Sequence, residues 1–276
     1  MQYDKRDIRA IVFSCDELAT LRPLQAILQP KDWEGARKPV PIKSNHPTIE
    51  GFSIPYQSEN CYFRSQDPTK KREYAEMKKQ GIKFEYDILV LLDSRTSPPL
   101  VLIGIPFSNM AIEVFGRIHN ARPNDTFKYH RPKLAELVAA LQTSAGSATH
   151  LKAVGVSWLN TGETAKCSEV ILEGTDVVHS EVFNLMETAK KGIDVEKRKL
   201  TLSLTLRKLY VSYENLQKAE DLDLSFDRFG NYMVWVTDEG KNLPLLLDVV
   251  YRLRKSKLLA EEKNFPVRNR ADEPRL

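Results

Sequence analysis

Basic residues come in clusters in this chain, and clustered cations are the side chains that meet phosphates or carboxylates on a partner. Lys70-Lys71-Arg72 and Lys78-Lys79 share one charged stretch. Arg117 and Arg122 lead to Lys128, Arg131 and Lys133, and Lys197-Arg198-Lys199 leads to Arg207-Lys208. Arg252, Arg254, Lys255 and Lys257 put four positive charges into six residues at the end of an apolar-striped segment. The candidate contacts are therefore Arg252, Arg254, Lys255, Lys257, Arg207, Lys208, Lys128 and Arg131. Each phosphate such a group neutralises adds salt-dependent affinity. The same residues have a purely structural explanation, because a cation at a helix C-terminus offsets the macrodipole by about 0.3–1 kcal/mol. Phe127, Tyr129, Tyr210, Tyr213 and Phe229 lie beside the clusters, where they either stack on unpaired bases or pack within strands.

Other chemistries find fewer of their parts. A metal-dependent nuclease needs an Asp on one strand and a Glu-x-Lys on its neighbour, so that two carboxylates hold a divalent ion beside a lysine. Asp87 and Asp93 lie on or beside an apolar run, but the next run, 100–105, carries no acidic residue. Glu76-Met77-Lys78 and Glu196-Lys197-Arg198 lie outside apolar runs. His46, His119, His130, His150 and His179 include no His-x-His pair and no two on one helix face. His46-Pro47-Thr48 resembles one half of a two-histidine phosphoesterase signature, and no second His-x-Ser/Thr completes it. Ser94 and Ser108 follow apolar runs without a Gly-x-Ser-x-Gly elbow, and neither Gly104 nor Gly116 belongs to a phosphate loop. Cys15, Cys61 and Cys167 are odd in number and contain no Cys-x-x-Cys, which predicts reduced thiols rather than a zinc or redox centre. No cofactor is predicted.

The elements that must position these groups follow from periodicity. The 276 residues are 42% apolar, enough for one or two domains with a proper core, and the net charge of +4 arises from 41 basic and 37 acidic residues. The longest apolar runs, 88–92 and 100–105, have strand length, so no membrane span is predicted. A polar N-terminus without an extended apolar region predicts no secretory leader and a cytoplasmic location.

A first strand is expected at 8–14, then a helix over 17–28 capped by Asp16 and striped by Leu18, Leu21, Leu24 and Leu28. Residues 31–67 are irregular, with short strand pieces near 49–54 and 61–63. A charged helix over 67–80 ends at Gly81. The strands at 84–92 and 100–105 are joined too closely for a crossover and must be antiparallel. Helices start near 108 and 132. The small-residue segment 143–149 marks a domain boundary.

Beyond it, the alternation of Leu200, Leu202, Leu204 and Leu206 with Thr201, Ser203, Thr205 and Arg207 predicts a half-buried strand. An irregularity is expected at Arg207-Lys208, and a hairpin over 222–236 follows. A helix from Asn242, its N-cap, presents Leu243, Leu246, Leu247, Val250 and Leu253 on one stripe. The fold class is α+β, a two-part chain with mixed, mainly antiparallel sheets covered by helices. It comprises an N-terminal domain over 1–145, a C-terminal ββαβββα domain over 146–260 and a flexible tail over 261–276.

Two functions are compatible with this. One is a non-enzymatic subunit of a larger cytoplasmic assembly, whose basic faces contact an acidic protein partner or nucleic acid. The alternative is a metal-dependent hydrolase of phosphodiesters whose site assembles only in the fold.

Overall fold

A computed structural model describes residues 7–29, 37–44, 46–62, 68–107, 110–133, 136–137, 147–154, 169–174, 176–184, 201–208, 224–226, 232–235 and 239–263. They form an α+β arrangement with antiparallel strand pairing. The chain divides into two compact units. The first comprises Met1–His130, Val236–Leu247 and Glu261–Leu276, and the second Arg131–Trp235 and Asp248–Ala260. The segment 143–146, centre of the expected boundary, lies outside the described residues.

In the first unit, β1 (Asp7–Cys15), β2 (Val40–Pro41), β3 (Ile49–Ser58), β4 (Phe84–Asp93) and β5 (Leu100–Ile105) form a sheet in the order β2-β3-β4-β5-β1. The end of β1 also pairs with β6 (Phe127–Pro132), Phe13 facing Tyr129 and Cys15 facing Phe127. The uninterrupted apolar runs become β4 and β5 because both of their faces are covered; all six residues of β5 are buried. One face carries Phe13, Val90, Ile103 and Tyr129, and packs with Leu24 of α1 (Arg22–Leu28) and Val114 and Phe115 of α3 (Met110–Ala121). The charged helix α2 (Pro68–Lys79) stops at Gly81, whose φ of 72° suits a residue without Cβ. Gly81 N–H donates to Lys78 C=O at 3.0 Å and Ile82 N–H to Met77 C=O at 3.1 Å, the paired bonds of a Schellman cap.

The irregular segment 31–67 is corrected in part. It contains the ten-residue strand β3, which pairs with β4 from Ile49 opposite Asp93 to Ser58 opposite Phe84. Gly51 and Pro55 break the sequence pattern, but β2 pairs with only Ser53 and Phe52 of β3. Pro55 therefore sits where no ladder bond to a second strand is lost. The first helix is corrected too: Leu18 N–H closes a turn onto Cys15 C=O at 3.2 Å, and α1 starts only at Arg22. Pro23 then lies in the first turn, where its missing N–H has no intrahelical partner anyway. Leu18, Leu21, Leu24 and Leu28 are all fully buried, as their spacing predicts.

The second unit contains β7 (Ser147–Val154), β8 (Glu169–Glu173), β9 (Thr201–Lys208), β10 (Leu224–Phe226) and β11 (Tyr232–Trp235), in the order β11-β10-β9-β7-β8. Leu204 stands opposite Leu151 on one neighbour and Phe226 on the other. The ladder slips between Ser147, opposite Lys208, and Ala148, opposite Leu206, so the irregularity falls at Arg207. The hairpin pairs Leu224 with Val234 and Phe226 with Tyr232, while its connecting residues 227–231 lie outside the described residues.

The last helix, α4 (Glu239–Lys255), begins one turn earlier than Asn242, and Pro244 is inside it. Asn242 is a buried helical residue rather than a cap, and Pro244 removes only the bond to the carbonyl of Gly240 in the first turn. Strand β12 (Leu259–Glu262) follows α4 and reaches into the expected tail.

Packing is tightest in β5 at Gly104, where an added Cβ would stand 3.0 Å from Ile8 Cγ2 and 3.2 Å from Leu89 Cβ. Both neighbours belong to paired strands and have little room to shift. Gly104→Ala is expected to lower stability by about 1–3 kcal/mol in urea unfolding, with the m-value unchanged.

Candidate functional site

The C-terminal end of α4 brings cationic segments together. Lys257 has a φ of 59°, the left-handed region in which a side chain is strained. Its N–H donates to Arg254 C=O at 3.0 Å, and Leu258 N–H donates to Leu253 C=O at 2.9 Å. These are again the bonds of a Schellman cap, with lysine in the position that Gly81 fills after α2. The cap reverses the chain so that Leu258 C=O accepts the N–H of Lys133 at 2.8 Å. The backbone at Lys133 thereby meets the turn that follows Arg254, Lys255 and Lys257, although more than a hundred residues separate the two segments in sequence.

The side chains at this end differ in their engagements. Arg252 Nε donates to Asp248 Oδ2 at 2.7 Å one turn earlier, both groups largely covered, so its charge is matched locally. Lys255 is exposed, its Nζ 5.4 Å from the centroid of the Tyr251 ring. Lys257 is exposed, and Lys133 meets Glu136 at 3.2 Å. Arg131 and Arg254 are half-buried and engaged in contacts of their own. Of the other candidates, Lys128 is half-buried on β6 opposite Ser14, in the first unit. Arg207 and Lys208 end β9; their backbone is described and their side chains lie outside the described residues.

The candidate catalytic residues go elsewhere. Asp87 and Asp93 are six residues apart on β4, about 20 Å along the strand, too far to share one ion. Asp87 pairs with Arg37 at 3.1 Å. Asp93 is buried, and its carboxylate takes the Arg95 guanidinium at 2.6 Å and 2.9 Å, the Arg95 N–H at 3.0 Å and the Thr48 hydroxyl at 3.3 Å. His46 Nδ1 lies 2.9 Å from the same Thr48 hydroxyl, so His46-Pro47-Thr48 belongs to this clasp between the ends of β3 and β4. Ser94 donates to Thr48 C=O at 3.2 Å, as a turn residue does. Ser108 lies outside the described residues. His119 Nε2 meets Tyr129 OH at 2.7 Å, and burial holds its pKa below the usual histidine value, which favours the neutral ring. His179 pairs with Asp176 at 2.7 Å, and the side chain of His150 on β7 is outside the described residues.

Three polar constellations carry no sequence signal because their members come from distant segments. Buried Ser14 and His130 meet at 3.0 Å (Oγ to Nε2), with Glu261 Oε1 3.9 Å from His130 Nδ1. The order resembles a nucleophile, base and carboxylate, but the serine is wholly enclosed and no substrate reaches it. Cys15, Glu17 and Asp125 bring a thiol and two carboxylates within 4.8 Å of one another. Burial and the hydrogen bond to Glu17 push the Cys15 thiol up to about 12, so it stays protonated at neutral pH, and Arg122 supplies the positive charge beside Asp125.

The third is centred on Glu113 of α3. Its carboxylate accepts from Tyr56 OH at 2.9 Å, Ser58 Oγ at 2.7 Å, Asn60 Nδ2 at 3.1 Å and Tyr62 OH at 2.8 Å. The Arg117 guanidinium lies 4.3 Å from the centroid of the Tyr56 ring and 3.7 Å from Glu113. Burial works to raise the pKa of Glu113, but the bonds from Ser58, Asn60, Tyr62 and Tyr56 outweigh it and hold the group below the usual carboxylate range. Burial raises both tyrosines. A carboxylate with its lone pairs taken in this way fastens α3 to the end of β3; it is not poised to remove a proton from a substrate.

A comparison with protein families finds no match to this chain, and a comparison with curated proteins finds none either. Among the described residues no helix is long and apolar enough to cross a membrane.

The Glu113 clasp has a pH signature. With the folded pKa below that of the unfolded chain, the unfolded chain takes up the proton first, so the contribution to stability is whole above pH about 4.3 and is lost as pH falls through the folded value. Glu113→Gln is expected to cost about 2–3 kcal/mol at pH 7, and denaturant titrations from pH 7 to 3 should show the gap between the two proteins closing on the acid side.

Proposed function

We propose that this chain is a non-enzymatic subunit of a larger cytoplasmic assembly, and that its basic end, carrying Arg131, Lys133, Arg254, Lys255 and Lys257, contacts a polyanionic partner. The observation that supports this reading is the hydrogen bond from Lys133 N–H to Leu258 C=O, which joins the backbone of one basic segment to the turn after the other. Lys255 and Lys257 are exposed there, and the nearby carboxylate of Asp248 is already taken by Arg252. Lys128, Arg207 and Lys208 remain candidates for further contacts, and Arg252 acts on this surface through Asp248 rather than by reaching outward.

The alternative, a metal-dependent phosphodiesterase, draws less support. Its proposed aspartates are about 20 Å apart along one strand, and Asp93 is filled by Arg95 and Thr48.

Affinity capture of the tagged full chain from its native host tests the reading. The wild type should retain a stoichiometric partner, and a variant carrying Lys133→Gln, Lys255→Gln and Lys257→Asn should lose most of it, with the same loss for the wild type in roughly 0.5 M salt. A wild-type chain that elutes alone, or retention that ignores both the substitutions and the salt, would show that this end of the molecule is not an interface.

A further inference from the structure

We infer that α2 is a lid, pivoting at Gly81, that opens as one unit over Cys61 while the sheet beneath it stays folded. The device is separate from the basic end of α4.

The sequence of α2 makes it weak on its own. Seven of its twelve residues are charged, and Lys70, Lys71 and Arg72 crowd its N-terminal turns, where the helix dipole opposes cations and the first turn holds no acid to offset them. A helix this short and this composed needs packing to persist in water. Packing is slight. Of the nine side chains described in α2, seven are exposed, Tyr74 and Met77 are half-buried and none is buried. The equally long α3 buries Met110, Ala111, Val114, Phe115 and Ile118.

The fastenings of α2 and those of the floor beneath it are independent. Tyr74 sets its ring edge-on to Phe84 with centroids 6.2 Å apart, and Lys78 Nζ donates to Asn60 Oδ1 at 2.9 Å, an exposed bond for which water competes. Below, Asn60 Nδ2 and Tyr62 OH donate to Glu113 at 3.1 Å and 2.8 Å, and Tyr62 N–H donates to Tyr86 OH at 2.6 Å. Release of Lys78 leaves these three bonds in place. Cys61 lies between Asn60 and Tyr62, half-buried, its thiol pKa raised by burial. Tyr74 is near it: burial and then that thiol raise the tyrosine pKa.

Gly81 supplies the pivot. Its φ is 72°, and an added Cβ would meet nothing within 4 Å. Gln80, Gly81, Ile82 and Lys83 are all exposed, so the chain can turn there without moving the core. Segments with so few buried contacts open well before the whole fold does.

Thiol labelling of the full chain carrying Cys167→Ser tests the lid. Cys15 is buried and its thiol is pushed up to about 12, so it reports global unfolding, whereas Cys61 reports the lid. In urea well below the midpoint the Cys61 rate should stay nearly flat, because lifting α2 exposes little surface, while that of Cys15 climbs steeply. Tyr74→Ala should speed Cys61 labelling about tenfold. Lys78→Ala should speed it about twofold, and because Lys78 is exposed this variant keeps the test open if Tyr74→Ala does not fold. Gly104→Ala weakens the sheet whether the lid is open or shut, so it should speed Cys15 and leave Cys61 unchanged. Hydrogen exchange should show residues 68–80 exchanging together, ahead of 84–93 and 100–105. A Cys61 rate that follows Cys15 in urea and in Gly104→Ala would mean that only global unfolding uncovers it, and a rate equal to that of a free thiol would mean that nothing covers it. Either result overturns the lid, as does a Cys61 rate indifferent to both α2 substitutions.

Discussion

The hydrogen bond from Leu258 N–H back to Leu253 C=O is the constraint on which the cationic surface depends. It holds only while Lys257 stays in the left-handed region, and it aims Leu258 C=O at the N–H of Lys133. Without that reversal the chain leaving α4 would continue along the helix axis, and the basic residues of 131–133 and 254–257 would be unrelated features. Two backbone bonds of ordinary strength, each worth about 0.5–1.5 kcal/mol net, thus hold the two basic segments together.

Elsewhere in the molecule, charge is handled in the opposite way. Asp93 and Glu113 are each surrounded by several donors, and Arg122 stands beside Asp125 and Cys15. Such groups are costly to bury alone and cheap once their hydrogen-bonding capacity is filled. All three constellations tie the end of one strand to another element: β3 to β4 through Thr48 and Asp93, β3 to α3 through Ser58 and Glu113, and β1 to the loop after α3 through Cys15 and Asp125. The filled interior carboxylates contrast with Lys255 and Lys257, which are exposed at the end of α4.

Much of the fold is legible in the sequence wherever one period dominates. The apolar runs of β4 and β5, the leucines at 18, 21, 24 and 28, the irregularity at Arg207 and the stop at Gly81 follow from spacing and glycine alone. The second half of β3, beyond the expected piece at 49–54, is obscured because Pro55 reads as a breaker, and its tolerance depends on a neighbour only two residues long. The start of α1 is obscured because Asp16 resembles a cap, while the position of Pro23 is what decides it. Of the site, the lysines at 255 and 257 are visible as a cluster, but the bond from Lys133 N–H to Leu258 C=O is a long-range contact and leaves no local trace. Glu113 looks like an ordinary helix-surface residue, since its four donors lie more than fifty positions upstream.

The helix-dipole explanation for the basic cluster can now be divided residue by residue. It covers Arg252, Arg254 and Lys255, which lie in the last turn of α4, where a cation stabilises the exposed carbonyls. It does not cover Lys257, which lies beyond the helix with its own N–H already closing the cap, nor Lys133, which follows the end of β6. Dipole compensation also gives no reason to prefer lysine over glycine at a φ of 59°; the preference of a left-handed C′ position runs the other way by about 1 kcal/mol. An exposed lysine that costs stability where it stands is therefore not explained by the helix it follows.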